Sequence, residues 1–137
     1  MTTEDYVNFE TAKLLKEKGF DGECDYLYAD GKLMRASGFA CDWNKGETLF
    51  ADYENECSAP TFQMVMKWLR EKHNLHIEIR ITNHSISMVN VIKYYWVMCN
   101  TETGRWCDES TVYNVKAFDT PEEAEEDAIR HAVENLI

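Results

Sequence analysis

The stretch from Ala59 to Ile81, APTFQMVMKWLREKHNLHIEIRI, changes its hydrophobic period once, and that change constrains the fold more than any other feature of the chain. Phe62, Val65, Met66 and Leu69 recur at the spacing of one helix face, while Gln63, Lys67, Arg70 and Glu71 fall on the other. Pro60 has no amide hydrogen and a fixed φ, so it suits the first helical position, with Ala59 or Ser58 as the cap. Asn74 tolerates the left-handed conformation that ends a helix. Beyond it Leu75, Ile77, Ile79 and Ile81 alternate with His76, Glu78 and Arg80, the pattern of a strand that hides one face and wets the other.

The flanking segments carry their own signals. Asn8 can cap a helix from about Phe9 to Lys18, stopped by Gly19. Tyr26 to Ala29 leads into Asp30-Gly31, the dipeptide suited to a type I′ turn, and Lys32 to Arg35 returns as the second strand of a hairpin. Residues 37–58 show no sustained period and read as a long surface excursion with a short strand at Thr48 to Ala51. Thr82 to Ser87 is polar and reads as a turn. Val89 to Asn100 reads as a strand with Tyr94, Trp96 and Met98 on one face and Tyr95, Val97 and Cys99 on the other. After a turn at Thr101 to Gly104, Arg105 to Ala117 reads as the returning strand, which can bring Cys107 opposite Cys99. Thr120-Pro121-Glu122-Glu123 is a capping-box start for a last helix to about Leu136.

These elements predict an α+β fold in the order α-ββ-α-β-ββ-α: three helices and a mostly antiparallel sheet of about four to five strands. With 137 residues and 45% hydrophobic content the chain suits a single domain, residues 1–137. There is no run of eighteen apolar residues, and the opening MTTEDYVNFE is acidic where a secretion signal would be basic and then apolar. The five cysteines are scattered without a CxxC pair, as expected for a reduced, cytoplasmic protein.

The net charge of −11 is unevenly spread: residues 60–80 carry two acids and four bases, whereas 119–137 carry seven acids and one base. Direct binding to a phosphate backbone depends on clustered Lys and Arg, so this balance disfavours it. The tyrosines and tryptophan at Tyr26, Tyr28, Tyr94, Tyr95 and Trp96 suggest packing or an interface rather than a stacking platform, because their surroundings are neutral or acidic. The acidic last helix can mimic DNA phosphate towards a DNA-binding protein or simply be a solvated face.

Few residues are arranged for chemistry. His73 and His76 have a ligand-like spacing, but a helix end at Asn74 separates them, and no HExxH or cysteine pair accompanies them. The thiols read first as small buried hydrophobes, though a Cys–His pair assembled in space is one alternative. Gly19, Gly22 and Gly31 belong to a helix stop and turns rather than to a phosphate-binding loop. No catalytic residue, cofactor or metal ligand is assigned.

Three blocks, NFETAKLLKEKGF at 8–20, PTFQMVMKWLREKHNLHIEI at 60–79 and TPEEAEEDAIRHAVENLI at 120–137, resemble a family of small uncharacterised proteins encoded by gut bacteria and their prophages or mobile elements. The resemblance covers the helices and the strand after the second helix, and implies an intracellular accessory protein with no activity or cofactor attached. The expectation is a non-enzymatic, cytoplasmic protein-interaction module that binds itself or a host protein. It neither spans a membrane nor binds nucleic acid directly, and it forms a homo-oligomer through Tyr94, Trp96 and Met98 or a neighbouring sheet face. Lys67 and Arg70 supply a basic surface for an acidic partner. The alternatives are an acidic inhibitor or DNA mimic acting on a host protein, and a small-ligand-binding protein or hydrolase with a site between the 37–58 segment and the sheet.

Overall fold

Each helix starts on an oxygen-bearing side chain. The computed structural model, which describes residues 6–36, 40–45, 56–86, 88–109 and 117–137, has α1 at Phe9–Glu17, α2 at Phe62–His73 and α3 at Pro121–Asn135. The side chains of Asn8, Thr61 and Thr120 accept from the amides of Thr11, Met64 and Glu123, satisfying donors that a first turn leaves orphaned. Thr61 corrects the expected start of α2, in which Ala59 or Ser58 was the cap. Ala59 has no acceptor to offer, and the Ser58 hydroxyl accepts from the Trp43 amide instead. Pro60 therefore sits one residue before the cap, whereas Pro121 does open α3. Asn74 ends α2 at φ 56°, in the left-handed region anticipated for it.

The strands are β1 (Tyr26–Ala29), β2 (Lys32–Arg35), β3 (Cys57–Ser58), β4 (Leu75–Ile86), β5 (Val89–Asn100) and β6 (Arg105–Glu109). They form two antiparallel sheets of three strands, ordered β2-β1-β3 and β4-β5-β6. The α+β class and the element order agree with the sequence reading, but the described residues hold six strands rather than four to five, divided between two sheets. Asp30 and Gly31 have φ values of 51° and 76°, as a type I′ turn requires, and join Ala29 directly to Lys32. The strand expected at 48–51 lies outside the described residues. Instead β3, at the end of that segment, pairs with Leu27 and Tyr28.

Two further corrections concern the second sheet. β4 does not end at Ile81; it runs to Ile86 and stays in register with β5 down to the pair Ile86↔Val89. The polar residues from Thr82 onward mark the half of the hairpin that leaves the core, not a turn. The register between β5 and β6 shifts at Met98/Cys99, so that Met98 faces Asp108 and Cys99 faces Trp106. Cys107 is the extra residue of this bulge and does not lie opposite Cys99. The later part of the expected 105–117 strand, at 110–116, lies outside the described residues, and Phe118 makes an isolated bridge to Tyr94.

The helices α2 and α3 cover one face of the β4-β5-β6 sheet, where Leu75, Ile77, Trp96 and Met98 meet Val65, Leu69, Ile129 and Val133. The helix α1 packs on α3 and β3, and the same cluster of buried residues continues through Leu15, Leu27 and Trp43. Two of the three buried indoles donate across the core: Trp96 Nε1 to Asp127 Oδ2 at 2.8 Å and Trp43 Nε1 to the Cys24 carbonyl at 2.9 Å. Met98 is 0% exposed, so Met98→Ala should cost about 2–5 kcal/mol in chemical denaturation. Asn74→Gly should be near neutral, whereas Asn74→Val should lose about 1–2 kcal/mol because a β-branched residue resists the left-handed conformation.

Candidate interaction surface

Directly paired residues of antiparallel strands share a face, so the register assigns the described side chains of β4 and β5 to one side of the sheet or the other. Leu75, Ile77, Ile79 and Ile81 lie with Met98, Trp96, Tyr94 and Ile92 on the helix-covered side. His76, Glu78, Arg80 and Thr82 lie with Cys99, Val97, Tyr95 and Lys93 on the other. The helices cover only the proximal half. Past it Ile81 is 64% exposed and Ile92 46%, Val89 on the opposite side is 62% exposed, and Met88 in the turn is 99% exposed. The distal hairpin is thus an arm with apolar side chains on both faces and at its tip.

Arg80 organises the open face. Its Nε donates to Glu78 Oε1 at 2.9 Å, and its guanidinium lies 4.8 Å from the centre of the Trp106 ring. A hydrogen bond with Tyr95 adds a third contact, and the bond from Arg80 holds the Glu78 carboxyl below its ordinary range. Val97 is buried beneath this group, in a shallow hollow shared with Arg80, Trp106 and Glu109. The apolar second face of β5 is therefore closed by side chains of its own sheet around Val97.

The strand β4 also has a free side. Its one neighbour in the sheet is β5, and among the described residues no strand pairs with its other edge. That edge is twelve residues long and contains no proline, its pairing with β5 is unbroken by a bulge, and Leu75, Ile77, Ile79 and Ile81 leave no charge on its helix-covered face. A short length, a proline, a bulge and an inward-pointing charge are the devices that usually protect an edge from a second chain, and β4 has none of them.

The residues singled out from sequence are distributed differently. Trp96 and Met98 are 3% and 0% exposed, because the register puts both on the side that α3 and α2 cover, so neither presents a surface to a partner. Tyr94 is half-buried and its backbone is bridged to Phe118. Lys67 and Arg70 are exposed on α2, with Lys67 Nζ 3.9 Å from Glu71. Ile81, Val89 and Ile92 lie inside predicted apolar patterns, but where the helices stop covering the hairpin is not written in those patterns. Met88 and Trp106 carried no signal.

Other candidates dissolve into packing. The His73 ring packs edge-on against Trp68 at 4.7 Å, and burial lowers its pKa. His76 lies on the open face opposite Cys99. Among the described residues no group of three or more His, Cys, Asp or Glu side chains is placed to hold a metal ion, and no helix is long and apolar enough to cross a membrane. The Tyr28 hydroxyl donates to the Val7 carbonyl at 2.6 Å and Tyr26 packs on Tyr6, so the aromatics belong to separate clusters rather than one platform. On the acidic helix α3, Glu126 and Asp127 are engaged within the molecule, which leaves fewer acids for phosphate mimicry.

A cleft of about 640 Å³ runs along α3, lined by Tyr6, Phe62, Phe118, Glu123, Glu126 and Arg130. Most of the segment between 37 and 58, where a ligand site was anticipated, lies outside the described residues. Glu126 Oε1 accepts from the Asn8 amide at 3.2 Å and the Thr11 hydroxyl at 2.6 Å, while Oε2 is buried without a hydrogen-bond partner. Desolvation raises the Glu126 pKa. A raised folded-state pKa means that the cost of ionisation is present above that pKa and is relieved as the pH falls through it. Glu126→Gln keeps the accepting oxygen and removes the buried charge. It should be neutral or stabilising by up to about 1 kcal/mol at neutral pH, with the difference from wild type narrowing in thermal melts taken on the acid side. No protein-family model, curated protein or solved structure matches the chain.

Proposed function

We propose that this chain is a non-enzymatic protein-interaction module that self-associates through the exposed part of its β4-β5-β6 sheet. The observation that carries this reading is the unprotected β4 edge, which no strand pairs among the described residues, on a long strand that remains regular to its end. An added strand satisfies the main-chain groups of such an edge at once, and neighbouring side chains then decide which strand is accepted. Ile81 on that strand, with Ile92 of β5 on the same side of the sheet, supplies the apolar contact that the centre of a protein interface requires.

The state of the thiols supports a binding role over a nucleophilic one. Burial pushes Cys24 up to about 12 and Cys57 up to about 11, so both stay protonated at neutral pH. All five cysteines are free, which suits a reducing compartment, and we place the module in the cytoplasm. The resemblance to small proteins of gut bacteria and their mobile elements supports an accessory role there.

Sedimentation velocity should show a reversible rise in mass as the protein is concentrated into the high micromolar range. Ile81→Asp, at a position 64% exposed, should leave the circular dichroism spectrum unchanged and weaken association by about tenfold or more. A strict monomer throughout that range would refute self-association.

A further inference from the structure

Resting on that reading, we infer that the partner is a second copy of this chain, whose β4 pairs antiparallel with β4 about a two-fold axis through Ile79, each Glu78 meeting the other copy's Arg80. The symmetry limits the choices. Cross-strand partners must share a face, so a two-fold axis perpendicular to the sheet has to pass through a residue and cannot fall between two. Positions whose numbers add to twice the axial residue then face each other.

Charge selects among the permitted axes. An axis at Glu78 opposes the two Glu78 side chains, and an axis at Arg80 opposes the two arginines. Like charges directly opposite are destabilising. An axis at Ile79 instead sets Glu78 against the second copy's Arg80 and, by symmetry, Arg80 against its Glu78, so two complementary pairs flank the centre. The side chains of Glu78 and Arg80 are 43% and 39% exposed on the open face, and they already bond to each other within one chain at 2.9 Å. Their distance and chemistry therefore suit a square of alternating charge across the junction.

The opposite face gives an independent match. The same axis places the exposed Ile81 beside the second copy's Ile77, at the margin of the core that α2 covers, and the two Ile79 side chains against each other. The apolar row of each strand is continued by the other. Pairing from Leu75 to Asn83 supplies about eight to ten main-chain hydrogen bonds, and the product is one six-stranded sheet in the order β6-β5-β4-β4-β5-β6. Both ends of this sheet are β6 strands, each interrupted by the bulge at Cys107. The assembly therefore closes as a dimer and, among the described residues, ends that sheet on short, bulged strands that offer a third copy little regular edge.

The test uses the full chain in sedimentation equilibrium. Glu78→Arg and Arg80→Glu, each creating two like-charge contacts, should weaken the dimer by about tenfold or more, and the double variant E78R/R80E should recover to within about threefold of wild type. Circular dichroism checks that the single variants fold. A second measurement needs no charge change: mild oxidation of I79C should give a disulfide joining the substituted position to itself across the axis, identified by peptide mass spectrometry and missing from wild type. A dimer that both single charge variants leave intact, or that the double variant fails to restore, would overturn the register while leaving self-association standing. So would a dimer of I79C lacking the symmetric cross-link. A wild-type protein that is strictly monomeric would overturn both.

Discussion

A single backbone reversal at Asn74 holds two periodicities to one core. The helix α2 presents an apolar residue every three or four positions and β4 presents one every two, and both stripes must face the same interior. Asn74 accomplishes the change without a spacer by adopting φ 56°, and its carbonyl accepts from the Thr101 amide at 2.8 Å at the far end of β5. Leu69 and Leu75 are then buried in one cluster, and the sheet is fixed against α2 from its first residue. Where α2 sits determines which part of the hairpin is covered, and hence which part is left as an arm.

Much of the fold was legible in local chemistry. The reversal at Asn74, the Asp30-Gly31 turn and the Asn8 and Thr120 caps all rest on interactions within a few residues, which a sequence displays directly. The α2 cap shows how a local signal can mislead. Pro60 is compatible with a first helical position, but the Thr61 hydroxyl reaches the Met64 amide and makes Thr61 the cap and Phe62 the first helical residue.

What stayed hidden depends on partners distant in sequence. Thr82 to His84 look like turn residues until Val91 to Lys93 pair with them, and β3 is too short to show any period. The apolar character of Trp96 and Val97 pointed in both directions, and sequence could not say that α3 buries the first while Arg80 and Trp106 close over the second. The candidate surface was displaced for the same reason. Its chemistry lies in an edge, and an edge is defined by the strand that is missing beside it.

The hydrogen bonds from Asn8 and Thr11 to Glu126 span 118 and 115 positions of the chain. The contact between α1 and α3 therefore closes one of the longest loops in the fold. The pairings of Trp96 and Met98 with Ile79 and Ile77 close much shorter loops than that contact does. The helix that shares the sheet face with α2 is thus also held by a contact of high sequence separation with α1, the kind whose loop-closure cost slows folding.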